Sequence, residues 1–262
     1  MLVAAVVAEA QLRRRGGGRS FSNARIAVPG DFDGGFHFCR VAFASDFRGD
    51  GGSWSVDWPR ADMNLSIRLA ELTRADVSMT SGGDPNYLLV RLTDDVLFNC
   101  PFVMMTEVGA ASISNEEAER LRAYLRKGGF LWADDFWGSY AWDWWVAQFS
   151  RVLPPTEYPI VDLSSSHPLF SAQFQISQVP QIASINHWAG TGGGTSERYE
   201  DSEVAHARAI LDEHGNIMVL MTHNTDLGDS FEREADDPQY FYQMSVPGYA
   251  FGINALLYAL TH

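Results

Sequence analysis

Apolar runs that end in polar or acidic residues recur along this chain, with helical patterns between some of them. Residues 36–43, 87–92, 102–106 and 129–134 are rich in aromatic and aliphatic side chains, which predicts buried strands. Residues 60–73 carry leucines at a helical spacing, which predicts an amphipathic helix. Together these elements are typical of an α/β domain.

The helix expected before the last of these strands has both ends marked in the sequence. Ser114 is followed three residues later by Glu117, a capping box that satisfies free N–H groups at a helix start, and Gly128 suits its end. Residues 87–134 therefore contain strand, strand, helix and strand, and right-handed crossovers make the sheet largely parallel.

The second half of the chain adds a hairpin and two helices. Residues 206–211 and 217–221 flank the turn residues 212–216, which predicts an antiparallel hairpin. Residues 140–149 and 249–260 are expected to form helices, the latter apolar.

Composition and charge narrow the class of protein. The 262 residues are 46% hydrophobic, which suits a single packed domain, placed at residues 35–262. The net charge of −14 repels phosphate backbones, so nucleic acid is not an expected partner. No apolar run approaches the roughly 20 residues that a membrane-spanning helix needs, so no integral span is expected.

The first residues resemble part of a signal peptide. Residues 2–8 are apolar and residues 8–10 have the small-x-small pattern that precedes cleavage, but the positive residues that begin such a peptide are missing. Residues 1–10 are therefore interpreted as a truncated signal peptide of a periplasmic or secreted protein, with residues 11–34 as a flexible lead-in. If Met1 is the true start, the protein is cytoplasmic with an apolar tail.

The chain has two cysteines, too few for a disulfide scaffold or a zinc cluster. Cys39 and Cys100 lie in apolar contexts, where a thiol can act as a small buried hydrophobe. A bridge between them is the alternative if their strands are neighbours and the compartment is oxidising.

Several segments resemble domain of unknown function family 4159, over about residues 35–261. The family is related to the class I glutamine amidotransferase-like superfamily and is similar to the trehalose-utilisation (ThuA-like) proteins. The resemblance implies a flavodoxin-like sheet, with helices on both faces and a site at the carboxyl ends of the strands. The segments that carry it are residues 38–41, 61–65, 92–95, 128–138, 167–170, 218–233 and 254–259.

The resemblance does not carry amidotransferase chemistry to this chain. True amidotransferases place a nucleophilic cysteine on the turn between a central strand and a helix, with histidine and glutamate after the last strand. Here Asp134 and Asp135 occupy that turn, no cysteine follows residue 100, and His223 is followed two residues later by Thr225. A thiol mechanism is therefore not expected.

Asp134, Asp135 and His223 are the candidate catalytic residues. Because neighbouring side chains on a strand point to opposite faces, only one of the two aspartates is expected to reach the crevice. The structural alternative is that one aspartate caps the helix that follows while the other pairs with an arginine such as Arg40 or Arg91.

Other polar residues at strand ends are candidates for ligand binding. Asp135, Asp94, His223 and Asp226 are expected to converge at the carboxyl edge of the sheet. Imidazoles and carboxylates at strand ends, here His187, His223 and Asp226, could bind a divalent cation, but no recognised metal-ligand spacing is present, so no metal and no cofactor are predicted. The candidate ligand-binding residues are Asp94, Asp95, Trp137, His187, Asn224 and Asp226.

Aromatic residues are concentrated beside the two candidate aspartates. Helix-spaced indoles are typical of a core or an interface, and the alternative is a platform on which a sugar ring stacks. The residues are Trp132, Phe136, Trp137, Tyr140, Trp142, Trp144 and Trp145.

The sequence thus supports two hypotheses about function. The first is an exported amidotransferase-like domain that lacks the catalytic cysteine and binds a small polar ligand, such as a carbohydrate, or a protein partner. The second is a hydrolase of carbohydrate or amide type that uses Asp134 or Asp135 with His223, with or without a metal.

Overall fold

The computed structural model describes residues 25–262, so the predicted signal segment 1–10 lies outside the described residues. Seven strands form one sheet in the order β3-β1-β4-β6-β9-β8-β7, and β2 pairs only with β5. The strands are β1 (Phe38–Val41), β2 (Ala44–Ser45), β3 (Tyr87–Val90), β4 (Phe102–Thr106), β5 (Ala111–Ser112), β6 (Phe130–Asp134), β7 (Ile160–Asp162), β8 (His206–Leu211) and β9 (Ile217–His223).

The sheet is mostly parallel, as predicted. Strands β3, β1, β4, β6 and β9 are parallel neighbours, whereas β8 runs antiparallel to both β9 and β7. Numbered among themselves, the five parallel strands follow the order 2-1-3-4-5, which is the flavodoxin-like order. The predicted fold class is therefore confirmed, and so is the hairpin formed by β8 and β9.

Helices cover both faces of this sheet. Apolar residues of α2 and α3 pack on one face, and those of α1 and α7 pack on the other. The helices are α1 (Arg60–Leu72), α2 (Asn115–Arg126), α3 (Gly138–Phe149), α4 (Ile185–Thr191), α5 (Leu227–Glu232), α6 (Pro238–Tyr240) and α7 (Val246–Thr261). Among residues 25–262, none of the helices combines the length and apolar character that a membrane crossing needs.

The ends of α2 have the predicted chemistry. Ser114 accepts a hydrogen bond from the backbone N–H of Glu117, and the Glu117 carboxylate accepts one from the N–H of Ser114. Gly128 follows the helix with φ 94°, a left-handed conformation that favours glycine. The capping box therefore starts the helix that leads into β6.

Two further features link segments of the sheet that are distant in sequence. Cys39 of β1 and Cys100, just before β4, form a disulfide with their Cα atoms 6.2 Å apart. Because β1 and β4 are neighbours, the bridge is the alternative that the structure bears out. Within the predicted lead-in, Ala27 donates its backbone N–H to the carbonyl of Leu89 in β3.

Candidate functional site

Seven carboxylates converge at the edge where the parallel strands end. Glu107 follows β4, Asp134 ends β6, and other members come from the segments before α1 and after β9. Ligands bind at this edge in open α/β sheets, near the point where strand order reverses, here between β1 and β4. This acidic cluster consists of five buried aspartates and two half-buried glutamates, namely Asp57, Asp134, Asp135, Asp226, Asp229, Glu107 and Glu232.

Asp134 is fixed by hydrogen bonds from β9 and α5. The hydroxyl of Thr222 and the backbone N–H of Gly228 donate to its carboxylate, the latter at 3.1 Å. The indole of Trp132 donates in turn to Thr222 Oγ1 at 2.8 Å. Burial raises the pKa of Asp134 to about 7, although the bonds from Thr222 and Gly228 oppose the shift. Asp134 therefore caps the start of α5.

Asp135 occupies the turn between β6 and α3 in a strained conformation. Its φ is 56°, in the left-handed region that non-glycine residues rarely adopt. Trp137 Nε1 donates to Asp135 Oδ1 at 3.0 Å. Burial, and then repulsion from Glu107 and Asp57, raises the pKa of Asp135 well above its ordinary value.

Asp57 reaches the acidic cluster from the loop before α1. Its φ of 62° is also left-handed, and burial followed by repulsion from Asp229 and Glu232 raises its pKa well above the ordinary value. Its buried Oδ2 has no hydrogen-bond partner among the described residues. Gly228 permits this approach, because a Cβ built on that glycine would lie 2.2 Å from Oδ2.

Asp226 and Asp229 organise the segment after β9. Asp226 Oδ1 accepts the backbone N–H of Asp229 at 2.8 Å and so forms the N-cap of α5. Asp229 accepts the N–H of Ile185 at the start of α4, and Arg233 Nε lies 3.1 Å from its other oxygen. Arg233 Nε also lies 2.9 Å from Glu232 Oε2.

Glu107 closes the cluster on the side of β4. Burial raises its pKa to about 7, a hydrogen bond from the Gly52 N–H opposes the shift, and repulsion from Glu197 adds to it. Its φ of 55° is left-handed, like those of Asp57 and Asp135. A Cβ on Gly51 would lie 2.8 Å from Glu107 Oε2, so the glycine-rich loop covers this carboxylate closely.

The carboxylate oxygens form two close groups that share Asp57. One joins Asp57 with Asp135 and Asp226, the other joins Asp57 with Asp229 and Glu232, and within each group the oxygens lie within 4.8 Å of one another. Arg233 contacts only the second group. The first group is therefore the one that a metal ion could enter without displacing an arginine.

The structural alternative for Asp134 and Asp135 holds only in part. Asp134 does cap a helix, but this helix is α5, not the one that follows it in sequence. Arg40 is instead fully buried against Asp62, with Nε 3.0 and 3.1 Å from its two oxygens. Arg91 is exposed. Neither arginine forms an ion pair with Asp134 or Asp135 among residues 25–262.

Both ring nitrogens of His223 are engaged by other groups. A guanidinium can only donate, so Nδ1 accepts from Arg208 at 3.2 Å and Nε2 donates to the carbonyl of Gly138 at 3.0 Å. Burial lowers the pKa of His223 to about 4. The ring is neutral, and within the described chain no hydrogen bond joins it to Asp134 or Asp135.

Some of the predicted ligand-binding residues contact the acidic cluster, and others hold neighbouring backbone segments in place. Trp137 contacts the cluster directly through its bond to Asp135. Asn224 accepts the N–H of Gly138 at 2.8 Å and donates to a backbone carbonyl, so its amide braces the start of α3. His187 is half-buried in α4, where its backbone groups bond within the helix and its cap.

Asp94 and Asp95 lie beyond β3, at the outer edge of the sheet. Asp94 accepts the N–H of Arg91 at 3.2 Å, and the exposed Asp95 pairs with Arg120 at 2.7 Å. Strands β1 and β4 separate β3 from β6. The structure thus brings Asp135 and Asp226 together as expected, and it gives Asp94 and His223 other partners.

Most of the aromatic residues beside the cluster belong to the core. Trp132, Phe136, Trp137 and Trp145 are buried, whereas Tyr140 is exposed and donates to the carbonyl of Arg48. Three pockets of about 390 to 540 Å³ lie elsewhere, and no cluster carboxylate lines any of the three. Most of these rings therefore pack in the core, and they do not form an open platform on which a sugar could stack.

Sequence reasoning missed four members of the cluster. Asp57 lies in the loop just before α1, and Glu107 lies just after β4. In both places a turn directs the side chain inward. Asp229 and Glu232 lie three and six residues after Asp226, a helical spacing that was the available signal.

Comparison with known proteins identifies the family of this chain. No curated protein matches the chain. The family described as Domain of unknown function (DUF4159) matches residues 37–260, which include all seven carboxylates of the acidic cluster. The chain belongs to this family.

Proposed function

We propose that this protein is an exported binding domain that holds a small polar ligand at the acidic cluster. The observation that carries the proposal is that Asp57, Asp135 and Asp226 are buried together without a positive side chain of their own. Gathering buried carboxylates opposes folding through desolvation and mutual repulsion. Such clusters tend to mark functional sites, because a bound ligand can compensate the repulsion.

The chemistry of the site favours a ligand that carries positive charge or donates hydrogen bonds. Carboxylates are acceptors when ionised, so ammonium groups, polyols and carbohydrate hydroxyls are suitable partners. Stacking of a sugar is supported less, since most of the neighbouring rings are buried. A large protein partner is also less suited, because the three carboxylates are each at most 8% exposed.

Export is the second part of the proposal. It is supported by the disulfide between Cys39 and Cys100, because such bridges persist in oxidising compartments and are rare in the cytosol. Mass spectrometry of the N-terminus of the protein purified from its native host tests export. We expect the N-terminus to show cleavage near Ala10. An intact Met1 in the cytosolic fraction would contradict export.

Kinship with the amidotransferase-like superfamily and the ThuA-like proteins is part of the proposal. It is supported by the strand order 2-1-3-4-5 and by the strained turn that Asp135 occupies after β6. Glutaminase chemistry is not proposed, because both cysteines are in the disulfide and Asp135 stands at the turn.

A hydrolase is the second candidate. The left-handed backbone at Asp57, Glu107 and Asp135 favours it, because strained residues concentrate at active sites. With His223 bound elsewhere, an acid–base role would fall to these carboxylates. Turnover of glycoside or amide substrates, lost in Asp135→Asn, would support this candidate over a binding domain.

A thermal-shift screen tests the binding proposal. The purified chain would be melted with amines, polyols, sugars and cell-wall fragments, because a ligand that binds only the folded state must raise its stability. We expect at least one class to raise Tm in the wild type and to do so much less in Asp135→Asn. Equal shifts in both proteins would place the ligand elsewhere.

A further inference from the structure

The three oxygens of Asp57, Asp135 and Asp226 have the spacing of ligands on a single ion. They lie within 4.8 Å of one another, and two oxygens on one calcium ion, each about 2.3–2.6 Å from it, are at most about 5 Å apart. The residues are only 8%, 5% and 4% exposed, so bulk water screens their charges poorly.

An independent observation points to a ligand between them. Asp57 Oδ2 is buried and has no hydrogen-bond partner among residues 25–262, and the Asp57 carboxylate belongs to this group. Leaving a buried acceptor unsatisfied costs about 1–3 kcal/mol, and more for a charged one. The chain holds Asp57 in this place through a left-handed backbone and the clearance that Gly228 provides.

The nearby arginines form no ion pair with these three carboxylates, although the charge of Arg40 attracts Asp57 and so opposes the rise of its pKa. Arg40 is bound by Asp62, and Arg233 is bound by Asp229, Glu232 and Asp236. Asp135 accepts a hydrogen bond from the Trp137 indole, and Asp226 accepts one from the backbone N–H of Asp229. Both donors are uncharged. Within the described chain, none of the three carboxylates has an ion pair.

We propose that Asp57, Asp135 and Asp226 bind one hard divalent cation of the calcium class. All the candidate ligand atoms are carboxylate oxygens, which suit calcium, magnesium and manganese rather than thiolate- or imidazole-seeking metals. Calcium fits better than magnesium, because magnesium usually keeps several waters and these carboxylates are buried. The inference rests on the proposed function, since it names the ligand of the same site.

Isothermal titration calorimetry of the metal-free full chain with calcium tests this assignment. We expect one calcium per chain, with affinity at least tenfold weaker in Asp226→Asn and in Asp57→Asn. Asparagine at position 226 can still accept the N–H of Asp229, so the cap of α5 is retained. The exposed Asp95→Asn, whose carboxylate pairs with Arg120 outside the acidic cluster, is the control and should change affinity less than threefold.

A measurement on the wild type keeps the proposal testable if a variant fails to fold. Terbium, a trivalent ion that seeks oxygen ligands as calcium does, should emit on tryptophan excitation, because the Trp137 indole is bonded to Asp135. Calcium should displace this emission. No calcium heat up to millimolar concentration, no calcium-displaceable emission, or equal affinity in Asp226→Asn would each overturn the proposal.

The outcome also separates this inference from the proposed function. If magnesium binds and calcium does not, the calcium assignment is wrong. If no metal binds but an amine or sugar raises Tm in a manner that depends on Asp135, the cation is excluded and the polar-ligand proposal stands. If calcium binds and no organic ligand does, the cation itself is the ligand.

Discussion

Two buried aspartates at the start of α1 differ in what neutralises them. Asp62 is fully buried, and Arg40 donates to both of its carboxylate oxygens. Asp57, a few residues earlier, is buried with an oxygen that has no partner within the described chain. The fold can therefore satisfy a buried acid at this edge with an arginine, and of these two aspartates only Asp62 has one. On our proposal, Asp62 is a structural carboxylate and Asp57 is one that serves a ligand.

The largest expected effect is on the structural side of this comparison. Asp62→Asn would leave the guanidinium of Arg40 buried without a counter-charge, so we expect the free energy of unfolding to fall by roughly 3–5 kcal/mol. Urea unfolding monitored by tryptophan fluorescence measures this change. The matched control is Asp46→Asn, which removes the charge from the exposed pair with Arg48 and should cost far less stability. Similar small losses in both variants would remove the distinction between Asp62 and Asp57.

Gly228→Ala tests whether the position of Asp57 matters. Because the added Cβ would lie 2.2 Å from Asp57 Oδ2, Asp57 must move, and we expect a loss of roughly 1–3 kcal/mol together with weaker calcium binding. Gly190→Ala in α4 is the control, since a Cβ there meets nothing within 4 Å and should be neutral or stabilising by up to about 1 kcal/mol. Unchanged calcium affinity in Gly228→Ala would count against Asp57 as a ligand.

The raised pKa values of the buried carboxylates predict how the stability of the protein depends on pH. The pKa of Asp134 rises from 3.8 to about 7 and that of Glu107 from 4.5 to about 7 on folding, so between these values the folded protein binds more protons than the unfolded chain. Metal-free protein should therefore lose stability as pH rises through this window. His223 has the opposite sign, since its pKa falls from 6.5 to about 4, and it adds stability as pH rises to 6.5.

Above pH 6.5 the opposing contribution of His223 diminishes, while Asp134 and Glu107 still lose protons near pH 7, so stability should decline from pH 6.5 to 7.5. Each group can contribute at most about 1.4 kcal/mol per pH unit. Thermal melts in chelator measure the slope, and Glu107→Gln should flatten it. A stability that rises over this interval would contradict the raised pKa values.

Much of the fold follows from local patterns in the sequence. The capping box at Ser114 and Glu117, the strand at residues 102–106 and the hairpin turn at residues 212–216 are all set by neighbouring residues. The sequence left two alternatives for Cys39 and Cys100, buried free thiols or a disulfide. The distance between the two cysteines depends on which strands are adjacent. Strand order is a long-range property that no local pattern determines.

The site was predicted less completely, for the same reason. Asp94 follows a strand as Asp135 does, but the crossovers place β3 outside β1 and β4. Side-chain alternation directs Thr222 to Asp134, so the next residue, His223, contacts the opposite face, where Phe136 and Trp142 pack. Asp57 enters from a loop far earlier in the chain, through a conformation that its sequence does not reveal.

The stability of Asp135→Asn with and without calcium tests directly whether the acidic cluster is a binding site. Asparagine keeps an oxygen that can accept from Trp137 but removes one charge from the acidic cluster. In chelator, we expect the variant to be as stable as the wild type or more stable, by up to about 2 kcal/mol, because one repulsive charge is gone. With calcium at about one hundred times its Kd, the wild type should gain about 2.7 kcal/mol and the variant little, so that the order reverses. A variant that is several kcal/mol less stable in chelator, with an unchanged response to calcium, would show that Asp135 is a structural carboxylate.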